Sequence, residues 1–203
     1  MNGGWNYAGA AIYVDGSEGT YGDINITNSR FLNNRVYKPD GKDGGDARGG
    51  AININWAATN LKITNSLFYN NSSESAPSTD SNGNVNSNGS SAGAIYIGVQ
   101  TLWDGSAYQY PGETHLINNT FVNNKALNTS NNSSEGGALR FEWGQKTTMF
   151  NNIFYNNEAT SRNSSDSDME VHGLSNSDMV LEIGHNSSNY EAVSYTHLRA
   201  HEP

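Results

Sequence analysis

The chain has 203 residues, with 11 Lys and Arg against 20 Asp and Glu, a formal net charge of -9 and no cysteine. The acidic balance argues against nucleic-acid backbones and anionic membrane surfaces as partners, and the lack of cysteine excludes a disulfide scaffold and a thiolate site. Hydrophobic residues make up only 34% of the chain, and no run is long and apolar enough for a membrane-spanning helix, so any core depends on where those residues are placed.

They are placed in repeats. Gly9-Ala10-Ala11-Ile12-Tyr13-Val14 is followed by Ile26-Thr27-Asn28-Ser29-Arg30-Phe31-Leu32-Asn33-Asn34. The same pair of motifs returns at 49–54 with 63–71, at 92–97 with 116–124, and at 136–141 with 149–157. Ala11, Ala51, Ala94 and Ala138 stand 40, 43 and 44 residues apart. From each alanine to the phenylalanine of its unit (Phe31, Phe68, Phe121, Phe154) the chain runs 20, 17, 27 and 16 residues. Self-similarity at a fixed period is the mark of a solenoid, and these spacings suggest an elementary step of roughly 20 residues, two to a unit.

Within a step, residues alternate. Ile52 and Ile54 share a face that Asn53 does not, and Leu61, Ile63 and Asn65 alternate with Lys62, Thr64 and Ser66. Period two over segments this short reads as strand. Helical repeats are excluded for want of 3.6-residue periodicity, and leucine-rich repeats for want of their leucines. The fold expected is all-β, a single-stranded parallel β-helix of eight to ten coils, right-handed by the general twist of strands. Phe31, Phe68, Phe121 and Phe154 should form an inward ladder. Asn34, Asn71, Asn124 and Asn157 should form another at a corner, where asparagine tolerates left-handed backbone and bonds its own neighbours. If phenylalanine coils alternate with glycine-alanine coils, these columns need not stack directly, which favours the corner role over bonding along the axis.

The repeat is interrupted at 35–48, 72–91, 99–113 and 127–135, which read as inserted loops; the third carries Trp103, Tyr108 and Tyr110 and is expected to pack. Nothing before Gly9 has the pattern of a leader. Residues 1–192 are therefore expected to be a fragment of a longer β-helix protein. Residues 193–203 lose the Asn and Gly of the repeats and look like a translated adapter tail, non-native to the fold.

Chemistry-bearing residues are sparse. Asp15 and Glu142 share the position four after the motif alanine, but on coils of about 20 residues they would lie nearly 30 Å apart, so no catalytic pair is assigned. Asp40, Asp43 and Asp46 have a calcium-like composition in a glycine-rich stretch; a solubilising loop is preferred, and no cofactor is expected. Arg140 is isolated, and His115 and His172 lack ligand partners. The suggestive feature is aromatic. Trp56 and Trp143 stand five after the alanine, and Tyr13, Tyr96 and Arg140 stand two after it, an outward position where rings beside amides would suit glycan contact.

Gly-Gly-Ala-Ile followed by Phe-x-x-Asn, at Gly49 to Ile52 with Phe68 to Asn71 and at Gly136 to Leu139 with Phe154 to Asn157, resembles the paired signature of polymorphic outer membrane proteins. More broadly it is similar to the right-handed parallel β-helix proteins of the pectin-lyase-like superfamily on bacterial surfaces. The resemblance implies a secreted or cell-surface, outer-membrane-associated location with the targeting signal outside this fragment. It implies a non-catalytic scaffold for adhesion or glycan contact, with a polysaccharide or host glycan as partner and no direct membrane insertion. The alternative is a polysaccharide lyase or glycoside hydrolase domain acting on acidic or plant-type polysaccharide, although the aspartate cluster of the lyases has no counterpart here.

Overall fold

The computed structural model describes residues 7–15, 21–39, 46–55, 58–76, 78–79, 85–86, 89–98, 102–103, 108–109, 112–128, 134–142, 146–160, 165–166, 169–171, 180–184 and 187–188. Among these there is no helix, and short strands stack in parallel into five walls. The first wall holds Tyr7–Ala8, Ala47–Arg48, Ser90–Ser91 and Ser134–Glu135. The second holds Ile12–Asp15, Ile52–Asn55, Ile95–Ile97, Leu139–Phe141 and Met169–Val171. The third holds Tyr21–Thr27, Ala58–Thr64, Glu113–Ile117, Lys146–Phe150 and Val180–Gly184. The fourth holds Arg30–Leu32, Leu67–Tyr69, Thr120–Val122, Ile153–Tyr155 and Ser187–Ser188. The fifth holds Arg35–Lys38, Ser72–Ser75, Lys125–Asn128 and Glu158–Thr160, with Ser165–Asp166 added antiparallel at its end. One passage through the five walls is one coil, so the molecule is an all-β parallel β-helix.

The coil is longer than the sequence spacing suggests. One complete two-motif unit, not half of one, makes a turn: Phe31 pairs with Phe68, Phe68 with Phe121 and Phe121 with Phe154. Five turns are described where coils of about 20 residues would give eight to ten. The error has a physical source, because both motifs alternate in the same way and only cross-strand register shows that they lie on different walls of one turn. Asp15 and Glu142 are accordingly three coils apart, about 14 Å at the ordinary strand spacing rather than nearly 30 Å, still too far for a carboxylate pair.

Direct stacking makes the ladders continuous. The phenyl rings lie 4.7, 4.8 and 4.9 Å apart from Phe31 to Phe154 and within 9° of parallel. Inside the corner after the fourth wall, the Asn34, Asn71 and Asn124 side chains each donate through Nδ2 to the Oδ1 of the next rung, 2.8 Å in every case. That oxygen also accepts the backbone N–H of the rung below, at 3.0, 3.1 and 2.9 Å. Axial bonding is thus the main role of this column, reversing the weighting that the sequence suggested.

Corners use two devices. Asn28, Asn65, Asn118 and Asn151 turn the chain between the third and fourth walls, and Asn33, Asn70, Asn123 and Asn156 between the fourth and fifth, all with φ between 50 and 57°. Between the first and second walls the turn is made at Gly9, Gly49 and Gly136 with φ of 58, 63 and 67°, and by Ala92 at 59° in the third coil. Beside them, a Cβ on Gly50 or Gly93 would run into the carbonyl of the glycine in the next coil and into the backbone of Ser72 or Lys125 at the fifth wall, and one on Gly137 into the backbone of Asn157 and Glu158. The two sides of the coil touch there, and only glycine lets them.

The core follows the alternation. Ile52, Ile54, Leu61, Ile63 and Phe68 in the second coil are fully buried against Ile95, Ile97, Leu116 and Phe121 in the third and Leu139, Phe141, Met149 and Phe154 in the fourth. The fifth and first walls contribute smaller or polar inward groups, among them Lys38, Ser73, Ala126, Ser90 and Ser134. The segments read as insertions are shorter than expected, because 35–38, 47–48, 72–75, 90–91, 113, 127–128 and 134–135 belong to the walls. Serine-rich stretches give no apolar alternation, and that hides such strands from a pattern search. What remains between walls includes two hairpin pairings, Ser78–Thr79 with Val85–Asn86 and Leu102–Trp103 with Tyr108–Gln109. Residues 193–203 lie outside the described residues.

Candidate functional site

Among the described strands, the longer gaps in sequence fall between the fifth and first walls and between the second and third. The outward faces of the first two walls lie between them, and the residues expected for glycan contact were assigned to this region. Trp56 and Trp143 lie outside the described residues. Tyr13, Asn53, Tyr96 and Arg140 form one outward column by register. Tyr13 is 50% exposed and donates its hydroxyl to Asp15 Oδ2 at 3.0 Å. Burial, with that bond and the Asp15 charge, pushes its phenol pKa up. Tyr96 and Arg140 point outward from the coil, as expected, yet they are buried, at 0% and 9% exposure. They do not form an open aromatic strip.

They belong to an ionic network. Tyr96 accepts a hydrogen bond from Arg48 Nη1 at 2.7 Å, with the guanidinium carbon 4.9 Å from the ring centre, and its hydroxyl is bonded to Glu142. Arg48 also donates to Asp46 Oδ2 at 2.9 Å, and the other oxygen of Asp46 accepts the Gly89 N–H at 2.7 Å. Arg140 donates to Ser91 Oγ at 2.6 Å, pairs with Glu135 and reaches Glu142 at 3.2 Å. Burial pushes the Tyr96 phenol far above its ordinary range; the Arg48 charge opposes this and Glu142 adds to it. Burial alone would lower the Arg48 guanidinium, but Tyr96 and Asp46 outweigh it and hold it charged. The network therefore keeps a neutral phenol between fixed charges and ties the first wall to the second. Arg48 Nε, Arg140 Nε and Asn53 Oδ1 remain buried without a partner.

Of the calcium-like acids, Asp46 is held in this network, and Asp40 and Asp43 lie outside the described residues. Among the described residues no three His, Asp or Glu side chains come together. His115 sits on the third wall beside Glu113, at 3.3 Å.

The exposed aromatic strip is on another wall. Outward from the fourth wall run two columns, Arg30–Leu67–Thr120–Ile153 and Leu32–Tyr69–Val122–Tyr155. Leu32, Tyr69, Ile153 and Tyr155 are 44%, 41%, 50% and 57% exposed. Asparagine columns border the strip on both sides. Asn151 donates to Asn118 at 2.7 Å on one edge, and Asn70 to Asn33 at 2.8 Å and Asn156 to Asn123 at 2.7 Å on the other. Sequence reasoning missed this face although its signal was present: if Phe31, Phe68, Phe121 and Phe154 point in, the residues beside them point out, and those are Leu, Tyr, Val and Tyr. Comparison of the chain with protein-family models, curated proteins and solved structures gives no match to any of them.

Proposed function

We propose that this chain is part of a non-catalytic, secreted or cell-surface bacterial scaffold that contacts a glycan along its fourth wall. The reading rests on one observation: an exposed apolar strip carrying Tyr69 and Tyr155, edged by outward asparagine amides. Aromatic rings offer a flat apolar face to the C–H side of a sugar ring, and amides on both edges supply donors and acceptors for its hydroxyls. Tyr69 and Tyr155 stand two coils apart, about 9.6 Å along the axis, so a linear saccharide lying along the rod meets them in turn. The likeness of the Gly-Gly-Ala-Ile and Phe-x-x-Asn motifs to polymorphic outer membrane proteins and the pectin-lyase-like superfamily supports the surface location.

A glycan array followed by titration calorimetry tests this. Tyr69→Ala and Tyr155→Ala should each weaken binding by about tenfold, the loss of one ring contact. Trp56→Ala with Trp143→Ala serves as the competing face. Loss of binding only in the tryptophan pair removes the site from the fourth wall, and no binding to any glycan removes the reading.

A second reading, a polysaccharide lyase or hydrolase, draws on the ionic network of the first two walls, where titratable groups converge. It requires release of oligosaccharides from a polyuronate or plant polysaccharide, abolished by Arg48→Ala. The raised pKa of Tyr96 weighs against it, since a phenol held neutral is a poor base.

A further inference from the structure

The outer amide columns that edge the fourth wall break at one junction, whereas the inner ladder does not. Inside the corner, Asn34, Asn71, Asn124 and Asn157 bond coil to coil without a gap. Outside it, Asn70 donates to Asn33 and Asn156 to Asn123, but among the described residues no bond joins Asn70 to Asn123. The Asn70 Oδ1 and the Asn123 Nδ2 are thus left open to solvent. On the opposite edge Asn151 donates to Asn118, and among the described residues the Asn65 side chain and the Asn118 Nδ2 bond to nothing. The hydroxyl of Thr120, outward in the column Leu67–Thr120–Ile153 between the two edges, is equally unbonded. Open donors and acceptors therefore flank the strip on both sides at the junction of the second and third coils. Tyr69 lies at one end of that stretch and Tyr155 one coil beyond it.

From this geometry, and resting on the glycan reading above, we infer that the junction is a subsite for a neutral, β-1,4-linked hexopyranose chain lying along the rod. Charge selects a neutral chain. From the second coil to the fourth, every outward residue of the fourth wall is uncharged, and the nearest cations of the fifth wall are already paired, Lys125 with Glu158 at 3.4 Å and Arg35 with Glu74. A polyuronate would find no open cation there and a chain of net charge -9 around it. Spacing selects the linkage. A β-1,4-linked chain is a flat ribbon that advances by about one coil per sugar and turns each sugar over relative to the last, so every second sugar presents the same face. Tyr69 and Tyr155, two coils apart, meet like faces of the first and third sugars, with Val122 under the second. The hydroxyls of that middle sugar project from both edges of the ribbon, toward the open amides on either side. An α-1,4-linked glucan coils away from a straight strip and reaches one tyrosine only.

Titration calorimetry of the unaltered chain with cello- and chito-oligosaccharides of two to four sugars tests this, with maltotriose and trigalacturonate alongside. In at least one of the two β-1,4 series the trisaccharide should bind about tenfold more tightly than the disaccharide, which cannot reach both tyrosines. Its affinity should be the same at low and high salt, because no charge pair forms. Thr120→Val, and Asn65→Gly with Asn123→Gly, should each weaken the trisaccharide by about fivefold or more. Valine keeps the shape of threonine and glycine keeps the left-handed corners, so circular dichroism should show the fold unchanged. Equal affinity for disaccharide and trisaccharide, or unchanged binding in these variants, overturns the subsite. Binding of trigalacturonate or maltotriose that is lost in Tyr69→Ala, without binding of either β-1,4 series, also overturns it and leaves the glycan reading of the fourth wall standing. No binding of any glycan removes both.

Discussion

Asparagine has two jobs in this molecule, and neighbouring residues divide them. Asn70 and Asn123 hold the left-handed corner, while Asn71 and Asn124 turn inward and carry the buried rungs. The two positions should respond differently to substitution. Asn124→Ala strips donors and acceptors from both neighbouring coils and leaves the Asn71 N–H without a partner, so it should cost about 3 kcal/mol in urea unfolding. Asn123→Gly keeps the backbone conformation and should cost well under 1 kcal/mol. Ala92 presents the opposite case, a side chain where the other coils place glycine. Ala92→Gly should stabilise the chain by about 0.5 to 1 kcal/mol, the left-handed penalty less the added chain entropy of glycine, read as a raised unfolding midpoint. The amide column was visible in the sequence because its spacing repeats. Its bonds were not, since they depend on which coil lies next.

Walls are built from strands of two to seven residues, too short to be stable except as members of a stack. Their limits are set at the corners, so a corner substitution should act on the whole coil. Gly93→Ala drives a Cβ into the Gly137 carbonyl and the Lys125 backbone, and it should cost more than the roughly 3 kcal/mol of a large core truncation. Circular dichroism with soluble yield would report that loss. Across the third and fifth walls, surface pairs tie the third coil to the fourth: Lys146 with Glu113 at 2.9 Å and Lys125 with Glu158 at 3.4 Å. The hydrogen bond from Lys146 and its charge hold the Glu113 carboxyl below the ordinary carboxylate range. The hydrogen bond from Thr160, then the Lys125 charge against some burial, lowers Glu158. A depressed folded pKa adds stability that is present above the unfolded value and lost as pH falls through the folded one. The melting temperature should thus be insensitive to these groups from pH 7 to about 5 and fall below about 4.5, with a shallower fall in Glu113→Gln/Glu158→Gln. Exposure keeps the effect small. The apolar second, third and fourth walls were legible from alternation. The first and fifth were not, because Ser73, Ser75, Ser90 and Lys38 face inward without an apolar signature.

At the scale of the molecule, each coil contacts only its neighbours, so stability accumulates along one dimension. A lesion in the middle breaks two junctions and one at the end breaks one. Phe121, enclosed by rings on both sides, should cost about 3 to 5 kcal/mol as Phe121→Ala, and Phe31→Ala distinctly less, in the same denaturation experiment. The parallel β-helix itself was legible from the sequence. The number of coils was not, because spacing measures the repeat and register alone measures the turn. The polar outer network was only partly legible: Tyr96 and Arg140 share the position two after the motif alanine, but Asp46 and Arg48, which complete it, lie outside the motif.

The inner and outer asparagine columns also differ in the sense of their hydrogen bonds. The buried amides donate from each coil to the following one, whereas the outer amides donate back to the preceding one. Their side-chain dipoles therefore run head to tail in opposite directions, side by side, and largely cancel. No electrostatic pole builds up at either end as turns are added, so each additional repeat meets the same field as the last, and a rod of this design can be lengthened without a growing penalty.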